Sequence, residues 1–233
     1  MRTAMSRNLK PTLERIAFFS CYTNEELSKV ERLIAFKRFK KNTIILHEDE
    51  TKNFMYIVFS GKVKVMQTSL EGKEQIVAIH RKGDFFGEMA LLDGKTQPAT
   101  VIAMEDTTVG LIAKNDFEKY FLNNYDFLKQ IISMLCERLR ESWLMLRVLS
   151  FADAEHRIRT LLTHFASQYG VKDLRGIIIP LQLTHRDIAD YTALARETVS
   201  RLLSRLSQSG EIEIADNKHI ILKTSFLNKT TTH

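Results

Sequence analysis

The chain has 233 residues, enough for one large domain or two modest ones, and its 44% hydrophobic and 27% charged residues are ordinary for a soluble globular protein. It contains no apolar run near the ~18 residues of a membrane helix, and its basic N-terminus lacks the pattern of a signal peptide, so we expect a cytoplasmic protein that does not enter a membrane. The net charge of +6 and the pI near 9.3 suit a polyanionic partner without identifying one.

The two cysteines, Cys21 and Cys136, lie far apart in the sequence and form no paired motif. This excludes a zinc module or a four-cysteine iron–sulfur site built from this chain alone. It also fits a reducing compartment, which agrees with the expected cytoplasmic location.

The first part of the chain, about residues 9–34, is predicted to be helical. Leu13 and Ile16 recur at helical spacing. Thr23 followed three residues later by Glu26 has the pattern of a capping box, which predicts that a second helix begins there.

From about residue 36 to residue 112 the pattern changes to short alternating or β-branched runs, such as KVKV. Turn signals separate these runs: Glu71-Gly72, Lys82-Gly83-Asp84 and Asp93-Gly94. Several short strands with regular turns predict a β-sandwich or barrel, a type of fold that often holds one small ligand.

A long helix is predicted next, over residues 124–150, a stretch without Gly or Pro. It carries an apolar seam at heptad spacing, formed by Leu128, Ile132, Leu135, Leu139, Ser142, Leu146 and Leu149. A second apolar stripe consists of Phe127, Ile131, Met134, Met145 and Val148. The seam favours a homodimer. The alternative is that the helix packs on the chain's own barrel. Both arrangements can occur together if one face of the helix packs on the barrel and the other on a partner helix.

Asp153 is the predicted N-cap of a further helix that ends at Gly170, so we place the domain boundary at residues 151–153. A short strand follows, and then Thr184 and Asp187 form a second capping-box pattern. After a turn near residues 192–193 comes another helix, followed by a predicted two-stranded ribbon with an Asp216-Asn217 turn. Helix, turn, helix and ribbon together predict a winged helix-turn-helix.

The last of these helices has two chemically different faces. Its buried stripe is predicted to be Val199, Leu202, Leu203 and Leu206, and its open face carries Arg196, Glu197, Ser200, Arg201 and Arg205. An exposed helix fits the DNA major groove, where Arg donates two hydrogen bonds to guanine and Glu accepts one from cytosine. The alternative is a surface ion-pair ladder, since Glu197 and Arg201 are four residues apart.

Two stretches resemble a known family. LTHRDIADYTALARETVSRLLSRLSQSGEI is similar to the DNA-binding motif of the Crp/Fnr family (cyclic-AMP receptor protein and fumarate–nitrate reductase regulator), and GDFFGEMALLDGKTQPATVIAMEDTTVGLI is similar to its sensor cassette. The resemblance implies an α+β fold: a cyclic-nucleotide-binding-like β-roll at 1–123, a dimerisation helix at 124–151 and a winged helix-turn-helix at 152–233. It implies a homodimeric, non-enzymatic transcription regulator that binds double-stranded DNA and RNA polymerase.

The resemblance also implies which residues bind DNA. Family members with Arg, Glu and Arg at the positions of Arg196, Glu197 and Arg201 tend to read half-sites like TGTGA. Ala193 and Ala195 depart mildly from the family pattern, which often has Gly and a capping Ser there. The full predicted DNA-binding set is Thr184, His185, Arg196, Glu197, Thr198, Ser200, Arg201 and Arg205.

The sensor departs further from the pattern. Gly87 and Glu88 match the family, but the phosphate-gripping Arg falls on Gln97 and the next donor on Pro98, so a charged contact is lost and cyclic AMP is disfavoured. The candidate effector-binding residues are Gly87, Glu88, Gln97, Thr100, Ser142 and Trp143.

The identity of the effector stays open at this point. An iron–sulfur cluster is disfavoured for lack of a cysteine cluster, whereas haem is possible through His47, His80, Cys21 or one of several Met residues. Three alternatives remain: a regulator controlled by a small-molecule effector, a constitutive regulator with a degenerate sensor, and a haem-dependent gas sensor. A cupin-type metal enzyme needs closely spaced His residues, which the isolated His47 and His80 do not provide. A scaffolding module is the remaining rival.

Overall fold

The computed structural model describes residues 13, 14, 16, 19, 20, 22–51, 53–151, 153–215 and 218–230. Residues 9–12 of the stretch predicted to be helical, the Asp216-Asn217 turn and Cys21 lie outside the described residues. The chain divides into two compact units, Met1–Arg140 and Glu141–His233.

The first unit is mainly β-structure. Its strands are β1 Ala35–Phe39, β2 Ile44–Leu46, β3 Phe54–Ser60, β4 Lys62–Thr68, β5 Glu74–Arg81, β6 Phe85–Phe86, β7 Thr100–Ala103 and β8 Thr107–Ala113. Its helices are α1 Asn24–Leu33, α2 Glu88–Asp93, α3 Lys114–Tyr120 and the first part of α4 Tyr125–Ser150. The strands pair antiparallel in two four-stranded sheets, in the orders β1-β8-β3-β6 and β2-β7-β4-β5, which confirms the predicted β-roll.

Strand β3 shows why this sequence makes a two-layered roll. Met55 and Ile57 point into a core shared with the helices, while the alternate residues Tyr56 and Val58 point into the core between the two sheets. Because side chains alternate along a strand, five consecutive residues of β3 are buried on its two faces. A fully buried run of this kind reads as nearly continuous hydrophobic sequence.

Helix α4 begins one residue later than predicted and ends where predicted. Phe127 and Ile131 of its second apolar stripe are buried in the helix-side core, where Phe127 contacts Phe117 and Phe121. The expected packing of this stripe on the barrel is therefore confirmed for its N-terminal part. Ile132, Leu139 and Leu146 of the heptad seam are 61%, 51% and 66% exposed.

The second unit holds the end of α4, the helices α5 Ala154–Tyr169, α6 His185–Thr192, α7 Arg196–Gln208 and α8 Thr224–Thr230, and the strands β9 Val171–Asp173, β10 Gly176–Ile179, β11 Ile212–Ile214 and β12 Ile220–Leu222. Their sheet order is β11-β12-β10-β9. The ribbon predicted as two-stranded is thus one half of a four-stranded sheet, because β12 also pairs with β10. Sequence reasoning missed β9, whose three exposed residues carry no alternation.

Among the residues that the structure describes, no helix combines the length and the apolar character needed to cross a membrane.

Candidate DNA-reading helix and sensor cassette

Helix α6 begins at the capping box predicted from the sequence. The Asp187 N–H donates to the Thr184 hydroxyl oxygen over 3.0 Å, and the Thr184 N–H donates to the Asp187 carboxylate over 3.0 Å. The helix ends at Ala193, whose φ of 51° lies in the left-handed region that glycine favours. The alanine therefore costs of order 1 kcal/mol at this turn, in line with its departure from the family pattern.

Helix α7 follows after three residues and buries the predicted stripe of Val199, Leu202, Leu203 and Leu206. Its N-cap, Ala195, makes no side-chain capping hydrogen bond, as the sequence indicated. Arg196, Glu197 and Arg201 are all exposed. The N-terminal turns of α7 therefore present two guanidinium groups and one carboxylate to solvent on a helix whose opposite face is fixed in the core.

The other predicted DNA-binding residues differ in their exposure and in their contacts within the protein. Thr198, Ser200 and His185 are half-buried. The Thr184 hydroxyl serves the capping box, where it also donates to Asp187 over 2.7 Å. The remaining member of the set, Arg205, forms an ion pair with Glu155 of α5.

The break between α4 and α5 is built around Asp153 and Arg157. The Asp153 carboxylate accepts the His156 N–H over 2.8 Å and so caps α5, as predicted. The Arg157 guanidinium donates from Nε to the Phe151 carbonyl over 2.6 Å and from Nη1 to the Thr192 carbonyl over 3.2 Å. Sequence reasoning missed Arg157, which ties the break to the end of α6, because a lone helical arginine carries no signal of its partners.

In the first unit, Gly87 occupies the N-cap position of α2 with a φ of 82°. A Cβ atom there would lie 3.0 Å from the Phe54 carbonyl oxygen and 3.0 Å from the Tyr56 ring. Glycine is required at this position both by the left-handed backbone and by the close approach of β3.

Glu88 is the next residue and is 1% exposed. Arg138 of α4 approaches its carboxylate to 2.5 Å, donates to the Phe85 carbonyl, and places its guanidinium carbon 4.7 Å from the centre of the Phe85 ring. Burial raises the pKa of Glu88, while the charge of Arg138 opposes that rise. Arg138 is therefore the charge partner of a buried candidate effector residue.

Sequence reasoning missed Arg138. The only available signal was an arginine beside the heptad seam, four residues before Ser142. Charges in that position are normally solvated, so the buried carboxylate had to be located first. Ser142 and Trp143 themselves are exposed on α4.

Gln97 is also buried, at 2% exposure, and its side-chain amide donates to the Gly87 carbonyl over 3.4 Å. The Thr100 hydroxyl accepts the Glu48 N–H over 3.1 Å. Gly87, Glu88 and Gln97 are thus brought together, and the group that replaces the family's phosphate-binding arginine is an uncharged amide bonded to its own cassette. This is a poor match to a ligand phosphate, which favours cationic donors.

The two histidines considered as haem ligands have different surroundings. His80 is buried and stacks on Phe86, which in turn stacks on Tyr56 at 4.9 Å between ring centres. Burial, aided by the charge of Arg138, lowers the pKa of His80 to about 3, so its imidazole is neutral. His47 is exposed. Over the described part of the chain, no group of three or more His, Cys, Asp and Glu side chains could hold a metal ion.

Two known protein families match the two parts of the chain that carry these candidate sites. The family described as "Cyclic nucleotide-binding domain" matches residues 36–124, and the family described as "Crp-like helix-turn-helix domain" matches residues 156–229. A cyclic AMP receptor protein of Thermus thermophilus is 33% identical over 171 residues, which are 73% of this chain and 76% of that protein. This chain belongs to the Crp/Fnr family of transcription regulators.

Other Crp/Fnr relatives agree. An anaerobic regulatory protein of Bacillus subtilis is 28% identical over 83% of this chain and 82% of its own length. Among solved structures, FixK2 of Bradyrhizobium japonicum superposes with a TM-score of 0.73 at 27% identity, covering 84% of this chain and 96% of that one. A CooA variant of Carboxydothermus hydrogenoformans superposes with a TM-score of 0.77 at 25% identity, covering 100% and 99%. The chain is a DNA-binding Crp/Fnr regulator with an α+β fold.

Proposed function

We propose that this Crp/Fnr regulator binds an inverted DNA repeat as a homodimer and reads half-sites similar to TGTGA. The observation that carries the proposal is the exposed surface of α7, where Arg196, Glu197 and Arg201 lie opposite a buried apolar stripe. A carboxylate adds nothing to affinity for a polyanion. Its presence among arginines therefore favours base reading over general phosphate binding.

Each of the three residues has a role in this proposal. Arg196 and Arg201 donate paired hydrogen bonds to guanine in the major groove, and Glu197 accepts one from the amino group of cytosine. Thr184, His185, Thr198 and Ser200 contact the backbone around the groove and fix the register of the helix on the DNA. The alternative was a surface ion pair between Glu197 and Arg201. Over the described residues no ion pair joins these two side chains, which favours the DNA-binding role.

Dimerisation through residues 124–151 is supported by the exposed seam. Ile132, Leu139, Leu146 and the neighbouring Trp143 expose large apolar side chains along one helix while Phe127 and Ile131 are already buried on the barrel. A contiguous exposed apolar face on a helix is typical of a coiled-coil interface. A second copy of the same helix supplies a matching face, and two-fold symmetry of the protein then matches that of the operator.

For the β-roll we propose a regulatory role without cyclic AMP. Glu88 is engaged by Arg138 and Gln97 by the Gly87 carbonyl, so the described cassette offers no charged phosphate contact at position 97. The effector is then a different small molecule, or the sensor is degenerate and the regulator constitutive. We also propose that the regulator contacts RNA polymerase and acts in the cytoplasm.

Three measurements test the proposal. Fluorescence anisotropy with a labelled inverted repeat of TGTGA half-sites and with a scrambled duplex should show strong preference for the repeat, and equal affinity would contradict base reading. Added cyclic AMP should leave the Tm of the protein unchanged in thermal unfolding. A higher Tm with cyclic AMP would show that the nucleotide binds and would make it the candidate effector again. An absorption spectrum of the purified protein reports any bound haem.

A further inference from the structure

The last arginine of the reading helix is held differently from the first two. The Nη2 atom of Arg205 contacts the carboxylate of Glu155, and the two side chains are 60% and 26% exposed. Over the described part of the chain, neither Arg196 nor Arg201 forms an ion pair. The structure therefore separates two open arginines from one that is engaged within its own unit.

Glu155 is itself firmly placed. It is the second residue of α5, directly after the N-cap Asp153 and Ala154. Its other oxygen, Oε1, accepts from Arg159 Nη2 at 2.7 Å and Nε at 2.8 Å. Arg159 in turn reaches Glu211 at 2.7 Å. The Glu155 carboxylate thus lies between two guanidinium groups at the N-terminus of a 16-residue helix, surroundings that suit an anion.

The position of Arg205 on α7 brings it to the edge of the groove when the helix reads DNA. Arg205 follows Arg201 by one turn, about 6 Å further along the axis and about 40° around it. The 13 residues of α7 span about 20 Å, whereas the major groove is about 12 Å wide. A helix that enters with its N-terminus therefore carries Arg205 alongside the phosphates that border the groove.

We propose that the Glu155 carboxylate is an internal stand-in for a DNA phosphate: it holds Arg205 in the free protein, and a backbone phosphate takes its place in the complex. The proposal rests on α7 being the reading helix, as proposed above. Because the Arg205 side is 60% exposed, water screens the attraction within the pair, and a phosphate can replace the Glu155 carboxylate on Arg205. The freed Glu155 then repels the DNA and takes up a cation. Glu155 thereby lowers affinity for every sequence without touching a base.

The test is Glu155→Gln, measured by anisotropy on the inverted repeat and on the scrambled duplex over a range of salt concentrations. Glutamine still accepts from Arg159 but no longer holds Arg205 by charge. Affinity should rise about fivefold for both duplexes alike, and the plot of log K against log salt should steepen by about 0.9, one additional released counterion. The ratio between the two duplexes should not change, because a phosphate contact carries no sequence information.

Asp106→Asn is the matched control. It makes the same change in net charge and also breaks an exposed ion pair, with Lys40 at 2.7 Å, but in the first compact unit and not in the unit that carries α7. It should leave affinity and salt slope as in the unmodified protein. An equal gain from Asp106→Asn means that Glu155 acts only through net charge, and overturns the proposal.

Arg205→Gln completes the cycle. Added to Glu155→Gln, it should remove the gain in affinity and return the salt slope to that of the unmodified protein, and a gain that survives it overturns the proposal. If Glu155→Gln unfolds below the assay temperature, Arg205→Gln alone decides. It should weaken binding to both duplexes by the same factor, about threefold, and unchanged binding overturns the proposal.

The proposal and the underlying reading assignment fail in different ways. If the unmodified protein prefers the inverted repeat but Glu155→Gln binds no tighter, the proposed role of Glu155 is wrong, while the assignment of α7 as the reading helix is unaffected. If the unmodified protein shows no preference between the duplexes, the reading assignment itself is wrong.

Discussion

At the scale of single residues, function depends on charged groups whose surroundings differ sharply. Arg196 and Arg201 are exposed on α7, whereas Glu88 is buried and depends on one guanidinium group. The first kind of site tolerates substitution without loss of fold, because nothing in the core relies on it. The second kind couples any change of charge to stability.

We expect Arg196→Ala and Arg201→Ala each to weaken binding to the inverted repeat by about 1–3 kcal/mol and to relax the preference at one base pair. The reason is the loss of a paired hydrogen bond to guanine. Anisotropy with every single-base variant of the half-site measures both effects. Gln208→Ala, at the exposed end of the same helix, is the control and should bind normally. Unchanged base selectivity in both arginine variants would show that α7 does not read the sequence.

Glu197→Ala should behave differently. Removing a carboxylate beside DNA relieves repulsion while losing a contact to cytosine, so selectivity should fall more than affinity. The same set of half-site variants measures it. A variant that loses affinity for all sequences equally would place Glu197 in a structural role instead.

Arg138→Ala should destabilise the first unit in a pH-dependent manner. A wholly buried pair loses about 3–5 kcal/mol when one partner is removed, and we expect about 2 kcal/mol here because Arg138 is part-exposed. Without the guanidinium, the pKa of Glu88 in the folded state rises further above its ordinary value of 4.5. The folded state then binds more protons than the unfolded state, so stability falls as pH rises through that folded pKa.

Thermal unfolding near pH 5 and near pH 7 measures this effect. The difference in Tm from the unmodified protein should be larger at about pH 7 than at about pH 5, because a larger fraction of Glu88 is protonated at the lower pH and a neutral carboxyl needs no charged partner. Arg140→Ala removes an exposed arginine from the same helix and should show no such dependence. A pH-independent loss would mean that Arg138 contributes by packing against Phe85 rather than by its charge.

At the scale of elements, α4 shows how one helix serves two neighbours. Phe127 and Ile131 of its second apolar stripe are buried, and Ile132, Leu139 and Leu146 of its heptad seam are exposed. Both stripes are visible in the sequence. Only burial in the single chain shows which side chains its own core already uses, and the exposed seam residues are those proposed for the partner.

Leu139→Glu should convert the protein to a monomer and abolish preference for the inverted repeat. In the single chain Leu139 is 51% exposed, so the substitution leaves the fold intact, but in the dimer it places a charge in an apolar interface. Light scattering measures the mass, and unfolding measures the fold. Ser133→Glu, exposed on the same helix outside the seam, should remain dimeric. A dimeric Leu139→Glu variant would exclude the seam as the interface.

At the scale of the whole molecule, two kinds of site are carried by two compact units of one chain. In the proposed dimer, two copies of α7 would face one operator. Half-sites in such operators lie one helical turn apart, about 34 Å. Spacing, and not only half-site sequence, is then part of what the dimer recognises.

Inserting five base pairs between the half-sites should therefore abolish high-affinity binding, because half a turn moves one site to the opposite face of the duplex. Inserting ten base pairs returns both half-sites to the same face of the duplex and is the control for the added length alone. Anisotropy on the three duplexes makes the comparison. Equal affinity for all of them would indicate that each subunit binds independently.

The sequence by itself determined the order and type of the elements. Periodicity, caps and turn residues are local, so the capping boxes at Thr23 and Thr184, the cap at Asp153 and the apolar stripe of α7 were all confirmed as predicted. The exposed face of α7 followed directly, because a helix with one buried stripe leaves its other side open. The family motifs lie in these same local stretches.

Only the tertiary structure decided which distant groups meet. Arg138 and Glu88 are 50 residues apart in the chain, as are Arg205 and Glu155, and Arg157 reaches the carbonyl of Thr192 across 35. The pairing of β12 with β10 is of the same kind. A charged side chain or an edge strand has many chemically suitable partners in the sequence, and the packing of the core selects one by fixing distance and excluding water.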